Sequence, residues 1–129
     1  MIEIPQIWQF VTLLGVHWIA DFLCQTRWMA ENKSRRLDAL SAHVLIYSAV
    51  MAVPSVVILG LTGTALLFLA VNGALHFATD YVTSRMTSAL WQRQNVYGFF
   101  AVVGLDQFLH QLALAATLVA FGASVGPLT

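Results

Sequence analysis

Ala65-Leu-Leu-Phe-Leu-Ala-Val-Asn72-Gly-Ala-Leu-His76-Phe-Ala-Thr-Asp80 is a helix pattern written in apolar residues and broken by a histidine and an aspartate four positions apart. On a helix that spacing puts both side chains on one face, about a turn apart. The same pairing occurs twice more: His17 precedes Asp21, and Asp106 precedes His110, each by four residues. Ionisable pairs inside apolar helices demand a reason, and the rest of the chain is read around them.

Composition sets the class. Of 129 residues, 59% are hydrophobic and only 9% charged, with a mean hydropathy of +0.76. Soluble domains carry roughly 25% charged residues, so this chain has too little charge to cover a water-facing surface and reads as an integral membrane protein. The formal net charge of zero argues against a nucleic-acid partner. Cys24, the only cysteine, excludes an internal disulfide. The start, Met-Ile-Glu-Ile-Pro, lacks the positive region of a signal peptide, so the first apolar stretch is expected to be a retained span.

Four apolar segments follow in order, over about residues 5–26, 39–60, 65–86 and 97–121. Each has the ~20 residues needed to cross a hydrocarbon core of about 30 Å. Pro54 lies inside the second and is expected to kink it. The connections are short, which predicts one all-α domain, an up-down antiparallel bundle of four transmembrane helices. The polar connections after the first and third segments hold all six Lys and Arg residues. By the positive-inside rule these loops face the cytoplasm and both termini face the other side. Arg27, Arg35, Arg36, Arg85 and Arg93 then act first as topology determinants and contacts for lipid phosphates, with an anion clamp for a substrate headgroup as the minor alternative. Trp8, Trp28, Trp91 and Tyr97 sit where an aromatic belt is expected.

Depth follows from a rise of about 1.5 Å per residue. Counted from the inner boundary, His43, Asp21, Asp80, His17, Asp106, His76 and His110 fall about 6 to 20 Å inside the membrane. A bundle that turns these faces inward collects four imidazoles and three carboxylates in one cavity. Imidazole nitrogens and carboxylate oxygens are the usual ligands of Zn²⁺, Fe²⁺ and Mn²⁺, and an i,i+4 pair supplies two ligands from one face. The expected cofactor is therefore a divalent metal held by His17, Asp21, His43, His76, Asp80, Asp106 and His110, as a one- or two-metal site. Asp80 and Asp106 are the candidate general bases. Gln25 would line the cavity mouth, Asn72 would extend the polar stripe outward, and Gln107 would support Asp106 or join helices.

Other readings of the same residues stand beside this one. His–Asp pairs also serve as interhelical hydrogen-bonding glue, and His43 alone, near the interface, suits that role well. A proton or substrate pathway without a fixed metal is the third reading. Tyr47 and Tyr81 read as packing residues.

His17-Trp-Ile-Ala-Asp21-Phe-Leu-Cys-Gln25, Asn32-Lys33-Ser34, His43, the Asn72–Asp80 block and Asp106-Gln-Phe-Leu-His110 together resemble a small bacterial and phage membrane family, the domain of unknown function 3307. The resemblance runs over nearly the whole chain and takes in His17, Asp21, Gln25, His43, His76, Asp80, Asp106, Gln107 and His110. It implies a polar intramembrane site in a bacterial inner membrane and brings no activity with it. The His/Asp motifs are similar in style to membrane-bound metal-dependent hydrolases, by analogy only. The expectation is an intramembrane site for a divalent metal; if the protein is an enzyme, it is a metal-dependent hydrolase acting on a lipid or other amphiphilic small molecule. The alternatives are a homo-oligomeric transporter or cation/proton pathway, and a structural scaffold.

Overall fold

The computed structural model describes residues 4–122. Every regular element among them is helical: α1 (Ile4–Trp18), a π-helical turn (Ile19–Leu23) that continues it, α2 (Arg27–Asn32), α3 (Leu37–Leu59), α4 (Gly63–Gln92) and α5 (Val96–Gly122). Three of these, α3, α4 and α5, are long and apolar enough to cross a membrane. The first apolar segment differs from the uninterrupted helix expected over residues 5–26. It is a 15-residue α-helix followed by a π-turn, in which the Cys24 amide reaches back five residues to the Ile19 carbonyl at 2.9 Å. The N-terminal tip and the tail beyond Gly122, both expected on the side away from the basic loops, lie outside the described residues.

Local chemistry ends the helices where the sequence changes character. Thr62 caps α4 by accepting from the Ala65 amide at 3.3 Å, and Thr26 caps α2 by accepting from Met29 at 3.3 Å. Asn95 caps α5 through its side chain, which accepts from the Gly98 amide at 2.8 Å. Gly60 stops α3 at φ 73°, a left-handed conformation that glycine adopts without a Cβ clash. α3 runs on through Pro54, which is buried within it. Arg27–Asn32, read from sequence as part of a loop, forms the short helix α2.

Three-residue connections join α3 to α4 and α4 to α5, so each neighbour runs back along the last. α4 packs most extensively on α5 and next on α3, with α1 against α3 and α5. Gly73 lets α4 approach α3 closely: a Cβ there would stand 3.1 Å from the Ser48 hydroxyl. The apolar core gathers Leu13, Met51, Leu59, Phe68, Leu114 and Leu118, toward the Gly60 end of the bundle. Leu45, Val53, Val57, Leu66 and Val119 point outward and are 68–74% exposed. His17, Asp21, His43, His76, Asp80 and His110 are buried, at 0–4% exposure. Hydrophobic side chains are exposed on the outside, while the inside holds an apolar core at one end and a cluster of buried ionisable residues beside it.

Candidate metal centre

Four elements carry the ionisable residues inward. The last turns of α1 present His17, and the π-turn presents Asp21. α3 presents His43, α4 presents His76 and Asp80, and α5 presents Asp106 and His110. π-turns inside α-helices recur at functional sites because the extra residue re-aims the side chains around it.

The tightest set is Asp21, His43, His76 and Asp80, all buried. His43 Nε2 lies 3.0 Å from Asp21 Oδ1, 3.1 Å from His76 Nε2 and 3.3 Å from Asp80 Oδ2. His76 Nε2 lies 3.4 Å from the same Asp21 oxygen and 3.8 Å from the same Asp80 oxygen. A metal held tetrahedrally by nitrogen and oxygen at 2.0–2.1 Å has its ligand atoms about 3.3–3.4 Å apart. The five separations bracket that value, so the donor set is sized for one small cation. Both rings turn Nε2 into the cluster and leave Nδ1 buried without a hydrogen-bond partner. Their polar function is therefore spent on the cluster alone.

Stacking fixes the rings. His76 is sandwiched between Tyr47 (ring centroids 3.9 Å apart, 16° between planes) and His110 (4.0 Å, 19°). The Tyr47 hydroxyl lies 3.1 Å from His17 Nδ1. Such packing sets a ligand in place before an ion arrives.

The second group, Asp21, Asp106 and His110, adjoins the first and shares Asp21 with it. His110 Nε2 lies 3.0 Å from Asp80 Oδ1 and 3.3 Å from Asp106 Oδ2. Gln107 ties the groups together, donating to Asp21 Oδ2 at 3.1 Å and to Asp106 Oδ2 at 3.0 Å, with its carbonyl 3.3 Å from His17 Nε2. The Thr83 hydroxyl donates to the other Asp106 oxygen.

The i,i+4 partners seen in sequence are not always each other's nearest. His17 and Asp21 stand 3.7 Å apart and His76 and Asp80 3.8 Å, whereas the closest His–Asp contacts, His43–Asp21 and His110–Asp80 at 3.0 Å, cross between elements. The spacing put each pair on an inward face, and packing then exchanged the partners.

Lys33 enters from the loop between α2 and α3 and donates to Asp80 Oδ2 at 2.7 Å. Read from sequence as one of the loop basics, it is 18% exposed and is the ammonium of the cluster. Tyr47, read from sequence as a packing residue, and Thr83, not singled out there, likewise contact the site residues. For Lys33 the only signal was its place in the Asn32-Lys33-Ser34 motif. Three carboxylates, Asp21, Asp80 and Asp106, thus face one ammonium and the imidazoles of the cluster.

Access comes from the basic-loop end. A cavity of about 620 Å³ reaches Asp21, Lys33, Asp106 and Gln107, and Gln25 lines it. Its lining includes both hydroxyls (Ser34, Thr83, Ser84, Thr87, Ser88) and aromatic rings (Phe22, Trp91, Phe99, Phe100). Asp106 lines this cavity and Asp80 does not. Asn72 stands off the cluster. Its amide donates to Thr117 Oγ1 at 2.9 Å and to the Phe68 carbonyl at 3.0 Å, joining α4 to α5.

A family model described as protein of unknown function (DUF3307) matches residues 9–126. No curated protein and no solved structure matches the chain.

Proposed function

The chain belongs to the DUF3307 family, whose description names no activity, and we therefore propose its function from the site: a divalent-metal centre in a membrane-embedded bundle that hydrolyses an amphiphilic substrate. The observation that carries this reading is the Asp21–His43–His76–Asp80 set, whose ligand atoms stand at the spacing of a tetrahedral ion. Two nitrogens and two oxygens suit Zn²⁺, Fe²⁺ or Mn²⁺. A divalent ion held there supplies Lewis-acid polarisation and water activation. Asp106, free of that set and lining the cavity, accepts the proton of the attacking water, while Asp80 serves as ligand. The hydroxyls of the cavity lining suit a polar headgroup and its aromatic rings an apolar chain.

Membrane embedding is supported by the apolar exterior and by the length of α3, α4 and α5. In this reading the 20 residues of α1 and the π-turn, ~30 Å at 1.5 Å each, make the fourth span. The chain sits in the bacterial cytoplasmic membrane with the basic loops and the cavity mouth on the cytoplasmic side.

The test is the metal content of purified protein. Wild type and Asp106→Asn are expected to carry about one ion per chain, and His76→Ala and Asp80→Asn close to none. Asp106→Asn keeps its metal and loses turnover. Near-zero metal in wild type would remove the metal reading. The ammonium already seated on Asp80 favours a second reading, a cation pathway in which ions exchange with Lys33. That reading requires cation flux through proteoliposomes, lost in Asp80→Asn.

A further inference from the structure

Three of the basic side chains are held by carboxylates: Arg27 by Glu31 at 2.6 Å, Arg36 by Asp38 at 2.7 Å and Lys33 by Asp80 at 2.7 Å. Arg35 and Arg85 are not; among the described residues neither makes an ion pair. Arg85 donates to the Tyr81 carbonyl of its own helix at 2.7 Å and lies over the Tyr81 ring. These two arginines come from different elements, the α2–α3 loop and α4, yet line one cavity of about 390 Å³ with Ser34, Ser88 and Gln92. Glu31 also lines it, with its carboxylate engaged by Arg27. Four lining residues, Glu31, Ser34, Ser88 and Gln92, also line the larger cavity that reaches Asp21 and Asp106. The two spaces are therefore neighbours, a recess lined by two arginines beside the cavity that reaches the His/Asp cluster. Surface arginines that only set topology have no need to converge on a shared concavity. Two arginines without a carboxylate partner, lining one recess together with serine hydroxyls and a glutamine amide, are the donor types of a phosphate site.

We propose that the Arg35/Arg85 recess binds the phosphate group of an anionic amphiphile whose reacting end lies in the adjoining cavity. This rests on the hydrolase reading for the reacting end, while binding of the phosphate group does not need the metal. The chemistry needed is a phosphate carried on an apolar chain. Free phosphate offers the same oxygens without the chain, and the two sources separate experimentally.

The test uses full-length protein in a neutral maltoside detergent and reads the fluorescence of Trp91, which lines the larger cavity. Ligands are a short-chain phosphatidic acid, the diacylglycerol lacking its phosphate, and inorganic phosphate. Trp91→Phe identifies the reporting tryptophan. Wild type is expected to bind the phosphatidic acid at least tenfold tighter than the diacylglycerol. Arg35→Gln and Arg85→Gln each lose roughly tenfold, as expected for one charge-assisted pair, Arg→Lys at both positions recovers part, and Arg93→Gln, outside the recess, changes little. Equal affinity for phosphatidic acid and diacylglycerol overturns the proposal, as does an Arg93→Gln loss equal to the other two. Inorganic phosphate binding as tightly as the amphiphile, with the same arginine dependence, overturns the amphiphile and leaves a phosphate site. Metal content is measured on every sample. Arginine-dependent binding by protein that holds no metal keeps the proposal and sinks the hydrolase reading. Metal-loaded protein without arginine-dependent binding does the reverse.

Discussion

Lys33→Met separates a metal centre from a closed salt-bridge network. The Lys33 ammonium sits 2.7 Å from Asp80 Oδ2, an oxygen of the tetrahedral set. At an effective dielectric of about 20, unit charges at that distance attract by about 6 kcal/mol. Desolvation of a side chain that keeps 18% of its exposure takes back roughly half, so deleting the ammonium from ion-free protein costs about 3 kcal/mol. A bound divalent ion changes this. It lies about 2 Å from the same oxygen and supplies the counter-charge itself, so the deletion then costs about 1 kcal/mol or less. Linkage makes the difference of about 2 kcal/mol appear as metal binding about 30-fold tighter in the variant than in wild type. The assay is denaturant unfolding followed by helical circular dichroism in micelles, with chelator and with saturating Zn²⁺. Competition against a chromophoric chelator then measures the ion's dissociation constant. An equal cost of Lys33→Met under both conditions, together with unchanged Zn²⁺ affinity, would refute the reasoning, because ammonium and ion would then not share Asp80.

Three further perturbations test the surroundings. Tyr47→Phe removes the hydroxyl at His17 and keeps the stack on His76, so it should cost about 1 kcal/mol of stability and leave metal content intact, whereas Tyr47→Ala should cost about 3–5 kcal/mol and release metal, both read by unfolding and elemental analysis. Asn72→Ala breaks the tie to Thr117 away from the cluster, so a stability loss of about 1–2 kcal/mol with unchanged metal binding is expected, and a metal defect would place Asn72 in the site. Gly73→Leu forces α3 from α4 where Ser48 stands 3.1 Å from the missing Cβ, which should cost about 1–3 kcal/mol. It should also weaken metal binding, because His43 and His76 meet across that same contact at 3.1 Å.

Much of the molecule is legible without coordinates, because helical periodicity and hydropathy are local properties. The apolar segments, the inward faces of the His/Asp pairs and the meeting of four imidazoles and three carboxylates in one cluster follow from residue type and spacing. His43, isolated in its segment, is expected among the ligands with interhelical glue as its alternative, and its particular partners, Asp21, His76 and Asp80, come only from the packing. The π-turn at Ile19–Leu23 left no periodic signal, since one extra residue in a helix shifts no hydrophobic pattern over so short a run.

What sequence by itself determined is the set of inward-facing ionisable residues and the apolar character of the helices that carry them. Only the tertiary structure decided who meets whom. It pairs His43 with Asp21 and His110 with Asp80 across elements, seats Lys33 on Asp80, stacks Tyr47 on His76 and stands Asn72 apart. The reason is geometric. Spacing along a helix fixes the direction of a side chain to within a face, whereas a contact at 3 Å depends on how neighbouring helices are rotated and how closely they approach. Those quantities belong to the packing of all the elements at once, including a glycine at one contact and a π-turn beside another.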